Sequence, residues 1–181
     1  VRVYSADGLS LLGSFATSQD AQNAKRTIDF LGTTSVLVSE GYNGLGVYNL
    51  STGAKTQSIA VPTNIPDVSA ADITTNAVSV NNDNVFVANG GAGMYVYKNT
   101  NAVLSFLGSI RFTGNASCNY LTSSGDYIFA AMGNGGLKIV KMVTTSSINC
   151  TSFPLYVGTG YLNVNSGETK QYQGAAALTG I

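Results

Sequence analysis

A pattern of fourteen residues, written three times without a gap, constrains this chain more than any other feature. The copies are "VLVSEGYNGLGVYN" from Val36, "VFVANGGAGMYVYK" from Val85 and "IFAAMGNGGLKIVK" from Ile128. Each holds a run of four mostly apolar residues, one variable residue, a Gly-x-x-Gly, and a second four-residue segment with one residue after it. A half copy, "VRVY" at Val1 to Tyr4, matches the second segment alone. Equivalent residues recur after 44, 49 and 43 positions, and a period of that size means stacked supersecondary units, each burying a face on its neighbour.

In the second segment, positions one and three are always apolar: Val1 and Val3, Leu45 and Val47, Met94 and Val96, Leu137 and Ile139. Alternation with period two means a strand. The first segments are near-continuous apolar runs, as expected of strands covered on both faces. Turn signals flank them: "NNDN" and "SSGD" before the first strand, "SADG", "STG" and "NTN" after the second. Outer strands are then expected in "LSLLGSF", "KTQSIAV" and "VLSFLGSI", and inner ones in "KRTIDF", "NAVSV" and "SCNYL". Only "SQDAQNAK", residues 18 to 25, invites a helix. Four-stranded antiparallel units at this period predict an all-β β-propeller with about 3.5 to 4 blades in the chain, part of a larger propeller. The expected boundaries are a partial blade over 1–17, repeats over about 18–66, 67–113 and 114–150, and a tail over 151–181. The tail either returns to pair with Val1 to Tyr4 and close a ring, or begins a second β-rich module. The chain opens on Val1, for which a processed or truncated N-terminus is the expectation.

At "VFVANGGAGMYVYKN" and "GDYIFAAMGNGGLKIVKM" the chain resembles LVIVD-type propeller repeats of exported and surface proteins of bacteria, over residues 1 to 142. The resemblance implies a propeller and an extracellular or cell-surface address, and it carries no catalytic residues to transfer.

The glycines Gly41, Gly44, Gly90, Gly93, Gly133 and Gly136 invite comparison with a phosphate loop. A phosphate loop opens a helix, whose free amides and dipole hold the anion, whereas each of these loops runs into a strand. Turn geometry with positive φ is the better reading. Residues between or beside the glycines are the candidate binding face: Tyr42, Asn43, Asn89 and Asn134, with Tyr127 near a turn. Most of the ten tyrosines, including Tyr4, Tyr48, Tyr95 and Tyr97, are expected to pack within blades.

Charge argues against nucleic acid as a partner, because only 10% of residues are charged and nine basic residues balance nine acidic ones. No apolar run is long enough to span a bilayer. The chain has no histidine, which removes Ser-His-Asp and Cys-His nucleophile systems and the commonest zinc ligand. Cys118 and Cys150 are too few for a structural zinc site but are a possible disulfide. No metal and no cofactor are expected. Glu40 is the one acid beside a repeated turn, where its counterparts are Asn89 and Met132. The reading is a non-catalytic extracellular binding or scaffold module for a surface protein or glycan. The alternative is a propeller-type hydrolase or lyase acting on polysaccharide, with site residues partly outside this chain.

Overall fold

The computed structural model describes residues 1–18, 25–112, 114, 116–143, 161–164 and 172–173. The described residues are all-β, apart from one short 3-10 turn at Ala70–Asp72. A hairpin of β1 (Arg2–Tyr4) and β2 (Leu11–Ser14) opens the chain. The first sheet follows in sequential antiparallel order: β3 (Ile28–Leu31), β4 (Ser35–Ser39), β5 (Leu45–Asn49) and β6 (Lys55–Ile59). The second repeats it with β7 (Ala77–Asn81), β8 (Asn84–Ala88), β9 (Met94–Thr100) and β10 (Val103–Phe112). The third has β11 (Ala116–Ser124), β12 (Tyr127–Gly133) and β13 (Leu137–Val143).

Alternation explains how the runs stack. In β4, Val36 and Val38 face the hairpin, with Val1 and Phe15 packed on them, while Leu37 faces the second sheet. In β8, Val85 and Val87 meet the first sheet, and Phe86 and Ala88 meet the third. In β12, Ile128, Ala130 and Met132 meet the second sheet. A strand between two sheets must therefore be apolar at every position, and this is why the repeated run is nearly unbroken.

Inner strands β3, β7 and β11 lie side by side but are not paired by a ladder, so their edge amides need other partners. Side chains of the preceding sheet supply them. Asp29 Oδ2 accepts from the Val80 N–H at 2.6 Å. In the equivalent place Ser79 Oγ accepts from the Ser123 N–H at 3.1 Å. Thr27 Oγ1 accepts from Val78 N–H at 2.9 Å.

The structure departs from the sequence expectations at its two ends. Leu137 and Ile139 carry the same pattern as Leu45 and Val47, yet they are 63% and 58% exposed, because no described element lies beyond the third sheet to cover them. Tyr4 is exposed for the same reason at the other end, although it was expected to pack. The tail strand β14 (Tyr161–Val164) runs parallel to β10 instead of pairing with β1, and β15 (Tyr172–Gln173) runs parallel to β13. Ring closure through residues 161 to 164 is thus not what forms; those residues extend the outer edge of the second sheet. No closed ring is seen among the described residues. Residues 19–24 of the suggested helix and most of the tail lie outside them.

Candidate functional site

Each Gly-x-x-Gly turn is closed by its own backbone. Asn43 N–H donates to Glu40 O and Gly44 N–H to Gly41 O, both at 3.1 Å, and the turns at 90–93 and 133–136 repeat the pattern. All six glycines have positive φ, from 56° at Gly90 and Gly133 to 88° at Gly93. This conformation also turns the first glycine's amide and carbonyl toward the next sheet. Gly41 exchanges backbone hydrogen bonds with Thr75, at 3.1 and 2.9 Å, and Gly90 does so with Cys118, at 3.1 and 2.8 Å. The first two glycine loops thus staple one sheet to the next, and the amides of Gly41 and Gly90 are spent within the protein.

The candidate binding residues do not converge. Tyr42, Asn43 and Asn134 are exposed at the glycine-turn end, with the Tyr42 hydroxyl donating to Ala71 O at 3.0 Å. Asn89 is only 2% exposed; its Oδ1 accepts from the Thr75 hydroxyl at 2.7 Å, so it braces the staple and faces no ligand. Tyr127 sits at the opposite end of its strand, on the outer face of the third sheet, with Lys141 Nζ 5.8 Å from its ring centre.

Glu40 anchors a buried polar cluster. Its carboxylate, 1% exposed, accepts from Lys55 Nζ at 2.7 Å, from the Ser18 N–H at 2.8 Å and from the Tyr48 hydroxyl. Lys55 also donates to Ser18 Oγ at 2.8 Å, and Phe15 stacks on Tyr48 with ring centres 5.0 Å apart. Burial disfavours the Glu40 charge, but the hydrogen bonds from Lys55, Tyr48 and Ser18 outweigh it and hold the carboxyl below its ordinary value. For Lys55, burial opposes the ammonium and the hydrogen bonds to Glu40 and Tyr48 overcome it, raising its pKa. Burial and the Glu40 hydrogen bond both raise the Tyr48 phenol. The cluster ties residues 15 to 18 to the first sheet, and its carboxylate and phenol, both buried, are engaged with each other and out of reach of a substrate. Cys118 is a free, buried thiol, with burial pushing its pKa up to about 12; Cys150 lies outside the described residues.

Among the described residues, a cavity opens at the end opposite the glycine turns. A cleft of about 690 Å³ separates the β3–β4 turn from the β9–β10 turn, lined by Thr33, Thr34, Asp83, Lys98, Thr100 and Asn101. Lys98 and Asp83 pair at 3.1 Å, so the charged lining cancels. Asn101 and Ala102 form a two-residue hairpin turn with φ of 53° and 63°, closed by the Ala102 N–H donating to Asn99 Oδ1 at 2.9 Å. Sequence reasoning missed this cleft because its walls lie far apart in the chain; "NTN" marked the β9–β10 turn without showing what it faces.

No protein-family model and no curated protein matches the sequence. Among solved structures, the computationally designed Ika4 protein is similar at a TM-score of 0.50 and 13% identity, covering 77% of this chain and 78% of that one. The Sqt1 protein of Saccharomyces cerevisiae follows at 0.49 and 17%, over 60% of this chain and 28% of that one. The designed Ika8 protein gives 0.49 and 13%, over 78% and 39%. At such identity the likeness to Ika4 speaks to the fold alone, and it agrees with an all-β, repeat-like array. Among the described residues, no group of three or more Cys, Asp or Glu side chains is placed to hold a metal ion, and no helix is long and apolar enough to cross a membrane.

Proposed function

We propose that the chain is part of an LVIVD-type β-propeller, exported or displayed at a bacterial surface, and that it is a non-catalytic binding module for a glycan. The observation that carries the reading is the cleft between the first and second sheets. Its volume of about 690 Å³ falls in the range of ligand sites. Its lining of threonine hydroxyls, an asparagine amide and a self-neutralised ion pair suits a neutral polyol better than an anion. The β9–β10 turn adds a second support: Ala102 holds a positive φ that residues other than glycine adopt only at a cost, and its place is at the cleft wall.

Titration calorimetry with a panel of neutral oligosaccharides tests this, using Asn101→Gly as the control variant. Glycine suits the φ of 53° at this position, so the turn survives while the amide is lost. Wild type is expected to bind at least one saccharide, and the variant to bind it about tenfold more weakly, the worth of one hydrogen bond to a ligand. Binding by neither protein, or equal binding by both, defeats the proposal.

A further inference from the structure

The stacked units leave two loose ends that match each other. Val1, Leu45, Met94 and Leu137 occupy one equivalent place, at the start of the third strand of each unit, and Tyr4, Tyr48, Tyr97 and Val140 occupy another three residues on. In every junction, the first kind of residue on one unit packs in the same cluster as the second kind on the following unit. Val1 packs on the cluster holding Tyr48, Leu45 clusters with Tyr97, and Met94 clusters with Val140. Among the described residues the series has one seat left over, Leu137 with Ile139 on the third sheet, and one filler left over, Tyr4 on the hairpin. Leu11 pairs across from Tyr4 and shares its face, and it too is exposed. Gly133 is likewise exposed, whereas Gly41 and Gly90, its equivalents, are buried by their bridges to the next sheet.

We propose that copies of this chain associate head to tail, with the Tyr4–Leu11 face of one seated on the Leu137–Ile139 face of the next. The occupant is a second copy because its hairpin carries the residue types, in the equivalent positions, that fill this seat at the three junctions already built. The tail does not compete in its described strands, since β14 and β15 lie at outer sheet edges. A seat and a filler on different surfaces make the contact heterologous, so each copy has one of each to offer.

Sedimentation velocity of the full 181-residue chain over a range of concentrations is the experiment. Wild type is expected to form concentration-dependent dimers and longer species. Ile139→Lys destroys the seat and Leu11→Glu the filler; both sites are exposed, so each variant is expected to fold, with circular dichroism as the check. Each variant alone is expected to be monomeric, with association weakened about tenfold or more. Mixed together they retain one intact seat and one intact filler, and a one-to-one dimer that grows no further is expected. Three results would overturn the proposal: a monomeric wild type, a mixture that stays monomeric, or variants that associate like wild type. A monomer with slow amide exchange across β13 would assign the seat to closure within one chain, and a dimer insensitive to Leu11→Glu would make the contact isologous.

Discussion

Replacing Gly93 by alanine is expected to cost about 3 kcal/mol of stability, while the same change at Gly136 costs about 1 kcal/mol, although both glycines end equivalent turns. Both have positive φ, 88° and 72°, so each alanine carries the strain of the left-handed region. At Gly93 the added methyl would also press well inside contact distance of the Ile110 carbonyl oxygen and stand 3.0 Å from Arg111 Cα. Those are backbone atoms of β10 and cannot swing aside. At Gly136 nothing lies within 4 Å. Thermal denaturation would show midpoints lowered by about 6 to 12 °C for Gly93→Ala and about 2 to 4 °C for Gly136→Ala. Equal shifts would mean that only turn conformation, and not close approach to the neighbouring strand, demands glycine here.

Removing the Lys55 ammonium is expected to be nearly as damaging. Lys55→Ala leaves Glu40 buried with two hydrogen bonds but no cation. Breaking buried pairs in this way costs about 3–5 kcal/mol; because 28% of the Lys55 side chain remains accessible, about 2–3 kcal/mol is expected here. The pH dependence distinguishes this from lost packing. In wild type the Glu40 pKa is depressed, so its contribution is present above the unfolded carboxyl value of about 4.3 and is lost as pH falls through the lower folded value. In the variant, burial acts with much less opposition and raises the folded value above the unfolded one. The penalty is then full at neutral pH and relieved as pH falls through that raised value. Urea denaturation at pH 7 and pH 4 should show the gap between the two proteins shrinking on acidification; a gap that is constant with pH would mean that Lys55 matters only for its methylenes.

The repeat made most of the architecture legible in the sequence. Residues 45 to 48, 94 to 97 and 137 to 140 are all strands, and the glycine turns all have positive φ, because both properties are dictated by a few adjacent residues. Burial was less legible. Leu137 and Leu45 sit in the same local pattern, and only the presence of a following sheet decides which is buried. Asn89, just before its turn, groups in the sequence with Asn43 as a candidate for the binding face, but a hydroxyl fourteen residues away, on Thr75, draws it inward. Glu40 stood out in the sequence by lacking acidic counterparts; its partners Tyr48 and Lys55 could not be read, since their meeting depends on the β5–β6 pairing across Tyr48 and Lys55. The parallel docking of β14 on β10 had no local signal at all.

The bridges from Gly41 to Thr75 and from Gly90 to Cys118 also shape how the molecule comes apart. Each couples a sheet only to its successor, so the free energy of the array approximates a sum over single units plus one coupling per junction, as in a one-dimensional lattice. An interior unit is held from two sides and a terminal one from one side. Order should therefore be lost by fraying inward from the ends, with the second sheet, which shares a bridge with each neighbour, the last to melt. A substitution that weakens a single bridge then does more than lower stability: it lets the units on either side of it melt at separate temperatures.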